Sequence, residues 1–317
     1  MPRTLLLGTR GSPLARWQAD RVAAALQAAG HAVTIVEIRT TGDLDATTPF
    51  EQLSDPNLFT RQIDEAMLAG RIDLGVHSLK DLPTTLPGGI VQAAVSQRED
   101  PRDALVAPEG ATVMSLPRDA VVASSSLRRK AQLLVVRPDL DIVPIRGNVH
   151  TRLARVEDGR TAATLLAVAG LVRLGLAERI SERIPFDIML PAPGQAALAI
   201  TARDDDAAAI AAARLAVNDE TAEWCTGAER ALLGALDGGC EVPVAAFASR
   251  DAAGRLVLDA RVVSPDGRQL VEGSRIIPCR DIADALDGGR LLAEELVERG
   301  AGAILDELRA PARELPA

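Results

Sequence analysis

The stretch Val76-His77-Ser78-Leu79-Lys80-Asp81-Leu82-Pro83 sets an ammonium, a carboxylate, an imidazole and a hydroxyl directly after an apolar strand pattern. In α/β proteins chemistry collects there, at the carboxyl end of a strand. Ile72, Leu74 and Val76 alternate with Asp73 and Gly75, and Pro83 stops any regular element, so Lys80 and Asp81 are expected on a loop at a strand end. Adjacent opposite charges on a loop also suit a plain solvated turn, and the motif alone leaves both readings open. Arginines recur beside helix starts: Arg10 before Ser12, Arg128 and Arg129 after Ser124-Ser125-Ser126, and Arg146 before Asn148, followed by Arg152. Free backbone N–H groups, a positive dipole end and a guanidinium fork together make a carboxylate or phosphate site. One such place is as consistent with solvated surface; several of them argue for a small ligand carrying many negative groups. Cys240 follows two glycines and precedes Glu241-Val242-Pro243, either as an incidental thiol or as a sulfur presented on a loop to carry a covalent group.

Composition narrows the partners. A formal net charge of −9 disfavours a general nucleic-acid surface, and 2% aromatics with no tyrosine removes the usual base-stacking platform. Neither a P-loop nor a dinucleotide glycine fingerprint follows a strand, so nucleotides have no specific support. The chain's 3 cysteines and 3 histidines show no metal-ligand spacing, and neither a disulfide framework nor a metal site is expected. The opening MPRTLLLGTRGS has too short an apolar run for a signal peptide, and no later stretch reaches membrane-spanning length without charge, so a cytoplasmic protein is expected. Basic residues are almost all arginine. Lys80 and Lys130 are the only lysines, a weak hint that position 80 wants an ammonium on a flexible stem.

The elements that must position these residues follow from periodicity and caps. Leu5 to Gly8 reads as a strand, Ser12-Pro13 as a helix start, Leu14 to Ala29 as a helix and Val33 to Ile38 as a strand, giving a parallel pair with a right-handed crossover. Residues Thr40 to Pro56 read as a mobile loop, Leu58 to Ala69 as a helix and Gly89 to Val95 as a strand. The charged segment from Ser96 to Asp103 is expected to cross into a second lobe that repeats the pattern: strands at Val121 to Ala123, Ile142 to Ile145 and Thr164 to Val168, with helices capped at Ser124-Ser125-Ser126 and Asn148. Pro191-Ala192-Pro193-Gly194-Gln195 reads as a second crossing, after which Ala197 to Ala202 returns to the first lobe. Asp204-Asp205-Asp206 is expected to be a solvated helix start. A third unit follows, with a helix over Glu220 to Leu236, strands at Val242 to Ala248, Leu256 to Val263 and Gln269 to Ile277, and a closing helix from Ile282 to Arg299.

Assembled in order, the motifs resemble one family, porphobilinogen deaminase (hydroxymethylbilane synthase): TRGSPLA, VHSLKDLP, EDPRDA, SSLRRKAQL, IRGNVHTRL, LAVAGLVRLGL, LPAPGQAAL and GGCEVP. The fold class expected is α/β, with two periplasmic-binding-protein-like lobes, residues 1–96 plus 197–216 and residues 102–190, and a third, smaller α+β domain over 218–317. The resemblance implies a transferase that joins four porphobilinogens stepwise on a covalent dipyrromethane cofactor and releases hydroxymethylbilane by hydrolysis, in tetrapyrrole biosynthesis. It implies that Cys240 holds the cofactor by a thioether and that Asp81 is the catalytic carboxylate. Lys80, Ser126, Arg128, Arg129 and Arg146 are implied as cofactor ligands. Arg10, Ser12, Arg152, Arg173, Gln195 and Phe59 are implied as substrate contacts. Departures from the family pattern stand at Ser54-Asp55-Pro56-Asn57, at Ala162 where an aspartate is common, and in GQAA where GQGA is usual; altered lid behaviour is expected from them. Nothing calls for more than a monomer. The competing reading is a non-catalytic two-lobed binding protein for a small polyanionic ligand, which accounts for neither the Lys80–Asp81 pair nor the thiol.

Overall fold

The computed structural model describes residues 3–40, 60–108, 110–236 and 242–309. Phe59, Ser54-Asp55-Pro56-Asn57, most of the expected 40–57 loop and Cys240 lie outside the described residues. The first sheet has the order β2-β1-β3-β10-β4, built from β1 (Leu5–Thr9), β2 (Val33–Glu37), β3 (Leu74–Ser78), β4 (Ile90–Val95) and β10 (Leu198–Arg203). β1 runs parallel to β2 and β3, while β10 lies antiparallel between β3 and β4. Helix α1 (Pro13–Ala28) starts where the sequence places it: the Ser12 hydroxyl accepts from Ala15 N at 3.3 Å, and proline holds the first helical position, where no N–H is missed. Its buried stripe, Ala19, Val22, Ala23 and Leu26, packs on Leu5, Leu7, Leu74 and Ile200 of the sheet. Helix α2 (Arg61–Leu68) covers another part of the lobe.

The second sheet repeats the order as β7-β6-β8-β5-β9, from β5 (Asp103–Val106), β6 (Val121–Ala123), β7 (Asp141–Val143), β8 (Ala163–Ala167) and β9 (Glu182–Arg183). Helices α3 (Leu127–Val136), α4 (Val149–Glu157) and α5 (Val168–Arg173) accompany it, α3 capped by Ser126 and α4 by Asn148. β5 and β9 have no counterpart in the sequence reading. β5 begins on a charged residue and β9 is two residues long, so neither shows an apolar alternation.

After β10 come α6 (Ala207–Val217) and α7 (Glu220–Ala235), then an antiparallel meander of β11 (Val244–Arg250), β12 (Leu256–Val263) and β13 (Leu270–Ile277), which α7 and α8 (Ile282–Glu298) cover. The chain does not close on that helix as expected: Gly300, at φ +106°, turns it into a further helix, α9 (Ala301–Arg309). The solvated reading of Asp206 is also corrected. Its carboxylate caps α6 at Ala209 N, pairs with Arg3 and Arg203, and is only 9% exposed.

Two crossings join the lobes and lie against each other. Ser96 N donates to Leu198 O at 3.0 Å and Glu99 N to Ala196 O at 3.2 Å. Both are fastened to the third domain by Glu229 of α7, a fully buried carboxylate. It takes Arg98 Nη1 and Nη2 at 2.6 and 3.0 Å, Gly194 N at 2.8 Å and Ala248 N at 2.7 Å. Four donors on two oxygens satisfy the acceptor capacity that burial takes from water.

Candidate active site

Because β1 and β3 are parallel neighbours, their carboxyl ends open at the same edge of the first sheet, and residues 9–12 and 78–81 meet there. A pocket at that edge is lined by Arg10, Ser12, Gln18, Thr60, His77, Ser78 and Asp81 among others. Gln18 Nε2 donates to the Ser78 hydroxyl at 2.9 Å, tying α1 to the end of β3. Burial, helped by the nearby Arg10 charge, pushes His77 down to about 4, so the imidazole is neutral near pH 7 and faces Thr201 Oγ1 at 3.2 Å inside the sheet. It belongs to the scaffold of the strand.

Lys80 and Asp81 stand on a 3-10 turn, Leu79–Asp81, that follows β3 without a break. Leu79 and Leu82, 0% and 2% exposed, anchor the turn on either side, and Leu79 N donates to Ala197 O at 3.0 Å. Gly194 of the second crossing, at φ +76°, presses on the turn. A Cβ there would meet Leu79 Cγ at 2.9 Å, so both the conformation and the space call for glycine. Asp81 is half-buried and reaches the pocket; Lys80 points its ammonium to Gln195 Oε1 at 3.0 Å.

Gln195 is fully buried and does not open to solvent. Its amide nitrogen donates to Pro101 O at 2.8 Å and to Asp103 Oδ1 at 2.9 Å, which makes it a bridge from Lys80 on the first lobe to Asp103 on the second. Asp103, 0% exposed, is the counter-ion of the helix-start arginines. Arg128 Nη1 reaches Oδ2 at 2.7 Å, and Arg129 Nε and Nη2 reach Oδ1 at 3.0 and 2.7 Å. Arg128 also donates to Leu190 O, and Arg129 to Leu165 O. The Ser126 hydroxyl caps the same helix at Arg129 N, 3.4 Å away. Asp103 was not among the residues the sequence singles out. Its signal, an acid at the head of a short apolar run in EDPRDA, is indistinguishable from the charged crossing before it.

Arg152 Nε donates to Gly147 O at 3.0 Å, close to Arg146 in the loop that Ser125 fastens by bonds to Ile145 N and O. Burial pushes Arg152 down to about 10, and the neighbouring Arg129 and Arg146 charges push the same way. Lys80 falls to about 8 by burial first and then the Arg129 charge, with Asp81 and Asp103 opposing. The two depressed cations share one electrostatic neighbourhood: Lys80 feels Arg129 and Arg128, Arg152 feels Arg129 and Arg146, and Asp81 and Asp103 are the carboxylates that Lys80 feels. A guest bearing several carboxylates would relieve that surplus, and dipyrromethane, with its acidic side chains, is such a guest. Arg173 lies apart from the pocket lining. It donates to Ala196 O and lies over the Trp17 ring with 5.8 Å to its centroid, linking α5, the second crossing and α1.

Comparison with known proteins gives the family. Residues 5–211 match the family model described as porphobilinogen deaminase, dipyromethane cofactor binding domain, and residues 224–298 match the porphobilinogen deaminase C-terminal domain. The porphobilinogen deaminase of Rubrobacter xylanophilus is 51% identical over 309 residues, covering 98% of this chain and 99% of that protein. That of Desulforudis audaxviator is 48% identical over 314 residues, covering 98% and 100%. Among solved structures, the methionine-binding protein MetQ aligns over 67% of this chain and 89% of its own at 13% identity and a TM-score of 0.43. With both domain models matched in order and relatives about half identical over nearly the full length, the chain belongs to the porphobilinogen deaminase family, transferases that work with a dipyrromethane cofactor.

Proposed function

We propose that this chain is a hydroxymethylbilane synthase, joining four porphobilinogens by successive deaminations on dipyrromethane and releasing hydroxymethylbilane by hydrolysis, for tetrapyrrole biosynthesis. The observation that carries the proposal is the cluster of cations from both lobes, linked through Gln195 and Asp103, beside one half-buried carboxylate, Asp81. When bound, dipyrromethane supplies a pyrrole carbon as nucleophile and an anchor through Cys240. This chain's residues do the rest. Lys80, Ser126, Arg128, Arg129 and Arg146 hold acidic side chains of the cofactor, Arg10, Ser12 and Arg152 receive those of the incoming substrate, and Phe59 offers its ring to the pyrrole. Arg173 and Gln195 serve the substrate from behind, through the crossing and through Lys80. Asp81 stabilises the positive charge that develops as ammonia leaves porphobilinogen and takes up the proton lost from the pyrrole carbon on coupling. A carboxylate does this best where water is scarce and its position is fixed.

The domain limits at 1–96 with 197–216, 102–190 and 218–317 are part of the proposal, supported by one sheet in each unit. So are a monomeric state and a cytoplasmic location; no helix among the described residues is long and apolar enough to cross a membrane. The test is the intact mass of the purified protein. The wild type should carry the added mass of dipyrromethane and Cys240→Ser should not, while Asp81→Asn should keep that mass and lose turnover by orders of magnitude. An unmodified wild-type thiol after expression with porphobilinogen available would refute the reading and leave the two-lobed polyanion-binding protein in its place.

A further inference from the structure

The turn that presents Lys80 and Asp81 is held from the third domain. Arg230, on α7, donates from Nη1 to Leu82 O at 3.1 Å and to Leu79 O at 3.3 Å, and from Nη2 to Pro83 O at 2.6 Å. These carbonyls bracket Lys80 and Asp81 on both sides. Within the turn, Leu82 N closes on Leu79 O at 3.2 Å, a single backbone bond and a weak hold for a three-residue element. The apolar anchors Leu79 and Leu82 fix where the turn sits, packing with Val95, Ala197, Ala199 and Ala222, but apolar contact is non-directional and does not fix its rotation. A planar fork across three carbonyls does. Gly194 also packs against the turn, its added Cβ position lying 3.4 Å from Lys80 N.

We propose that Arg230 is a positioning residue for the reaction: by gripping the main chain before and after Asp81, it sets the height and direction of the Asp81 carboxylate in the pocket. The inference rests on the reading of Asp81 as the catalytic group. A buried constellation misplaced by about 1 Å loses on the order of a hundredfold in rate, and a glutamine at position 230 can satisfy at most part of the fork's role.

The test uses holoenzyme, with cofactor loading read by intact mass and kcat and KM measured with porphobilinogen for wild type, Arg230→Gln, Arg230→Lys, Asp81→Asn and the Asp81→Asn/Arg230→Gln double variant. Arg230→Gln should load the cofactor fully, keep KM within about threefold and lose kcat about 10- to 100-fold. Arg230→Lys, which keeps a cationic donor, should recover part of the loss. In the Asp81→Asn background the Arg230→Gln change should lower the residual kcat by less than about threefold, because two residues acting through one group are not additive. A merely structural role predicts the same fold-loss in both backgrounds, and that result overturns the proposal. Normal kcat per loaded molecule in Arg230→Gln overturns it as well, whatever happens to loading or melting temperature. Failure of the underlying reading looks different: Asp81→Asn would itself turn over at a near-normal rate.

Discussion

Replacing Asp103 by asparagine removes one charge and almost no volume from the buried ion cluster it shares with Arg128 and Arg129. The carboxylate is 0% exposed and shared by two guanidiniums that are 5% and 7% exposed. Of its bonds, Oδ1 takes Arg129 Nε, Arg129 Nη2 and Gln195 Nε2 at 3.0, 2.7 and 2.9 Å, and Oδ2 takes Arg128 Nη1 at 2.7 Å. In the variant only one oxygen remains. The new amide nitrogen then faces either Arg128 or the Arg129–Gln195 side with donor against donor, and two buried cations lose their counter-ion. Removing one partner of a buried ion pair costs about 3–5 kcal/mol. At roughly 2–3 °C per kcal/mol for a chain of this size, the melting temperature should fall by about 6–15 °C. Scanning calorimetry or thermal fluorescence of wild type and Asp103→Asn at pH 7 reads this directly. The acid limb is a second check. Both arginines hold the Asp103 carboxyl far below its usual range against the opposing pull of burial, so its contribution is complete above the unfolded value near 4 and is lost as pH falls from there toward the folded value. The gap between wild type and variant should therefore be constant above about pH 4 and narrow below it. A variant melting within about 3 °C of wild type, or a gap that narrows between pH 5 and 7, would refute the assignment of Asp103 as the counter-ion.

Lys80 gives a prediction of the same pH sign in the alkaline range. Its ammonium is lowered from 10.5 to about 8, so the unfolded chain binds the extra proton between these values. In the cofactor-free Cys240→Ser background, the protein with Lys80 should gain stability relative to Lys80→Met by up to about 1.4 kcal/mol per pH unit as pH rises from 8 toward 10. Melting curves across that window check it, and parallel curves would rule out the depressed ammonium. Ala196 stands where the family pattern usually has glycine, and its φ of +77° lies in the left-handed region. Its carbonyl is held by Arg173 Nη2 and Glu99 N, which keeps the strained backbone in place. Ala196→Gly should relieve that strain and raise stability by about 0.5–1 kcal/mol, read by chemical denaturation; a less stable variant would contradict it.

The elements with local signatures were legible in the sequence. Ser12, Ser126 and Asn148 cap the helices predicted for them, Gly30 and Gly70 end theirs at positive φ, and the return of the chain at residue 198 follows from an apolar run after a proline-rich crossing. The Lys80–Asp81 motif falls at a strand end as its pattern requires. What escaped is non-local. Asp103 and Glu229 went unremarked because a carboxylate becomes a core residue only when its cationic partner arrives, for Glu229 from 131 positions away. Asp206 is the same lesson on a smaller scale: an acidic triplet looks solvated until Arg3 and Arg203 close over it. Gln195 escaped for the complementary reason, since a neutral amide in a loop carries no pattern that distinguishes a substrate contact from a bridge.

The strand order of the first lobe bears on how the chain can be made. β4 is joined to its sheet only through β10, and β10 is reached only after the second lobe has been traversed. A chain emerging from the ribosome therefore completes the whole of the second sheet while the first still has two open edges, on β3 and on β4, that nothing can yet pair. Unpaired edges of this kind are where chains stick to one another. Sequence separation of roughly this size also slows closure, since the loop entropy must be met before the contacts reward it. Chains truncated before residue 198 should be the aggregating species in expression, and the last strand to enter the first sheet is the one that brings the second crossing, Gly194 and the backbone contact under the Lys80–Asp81 turn into place.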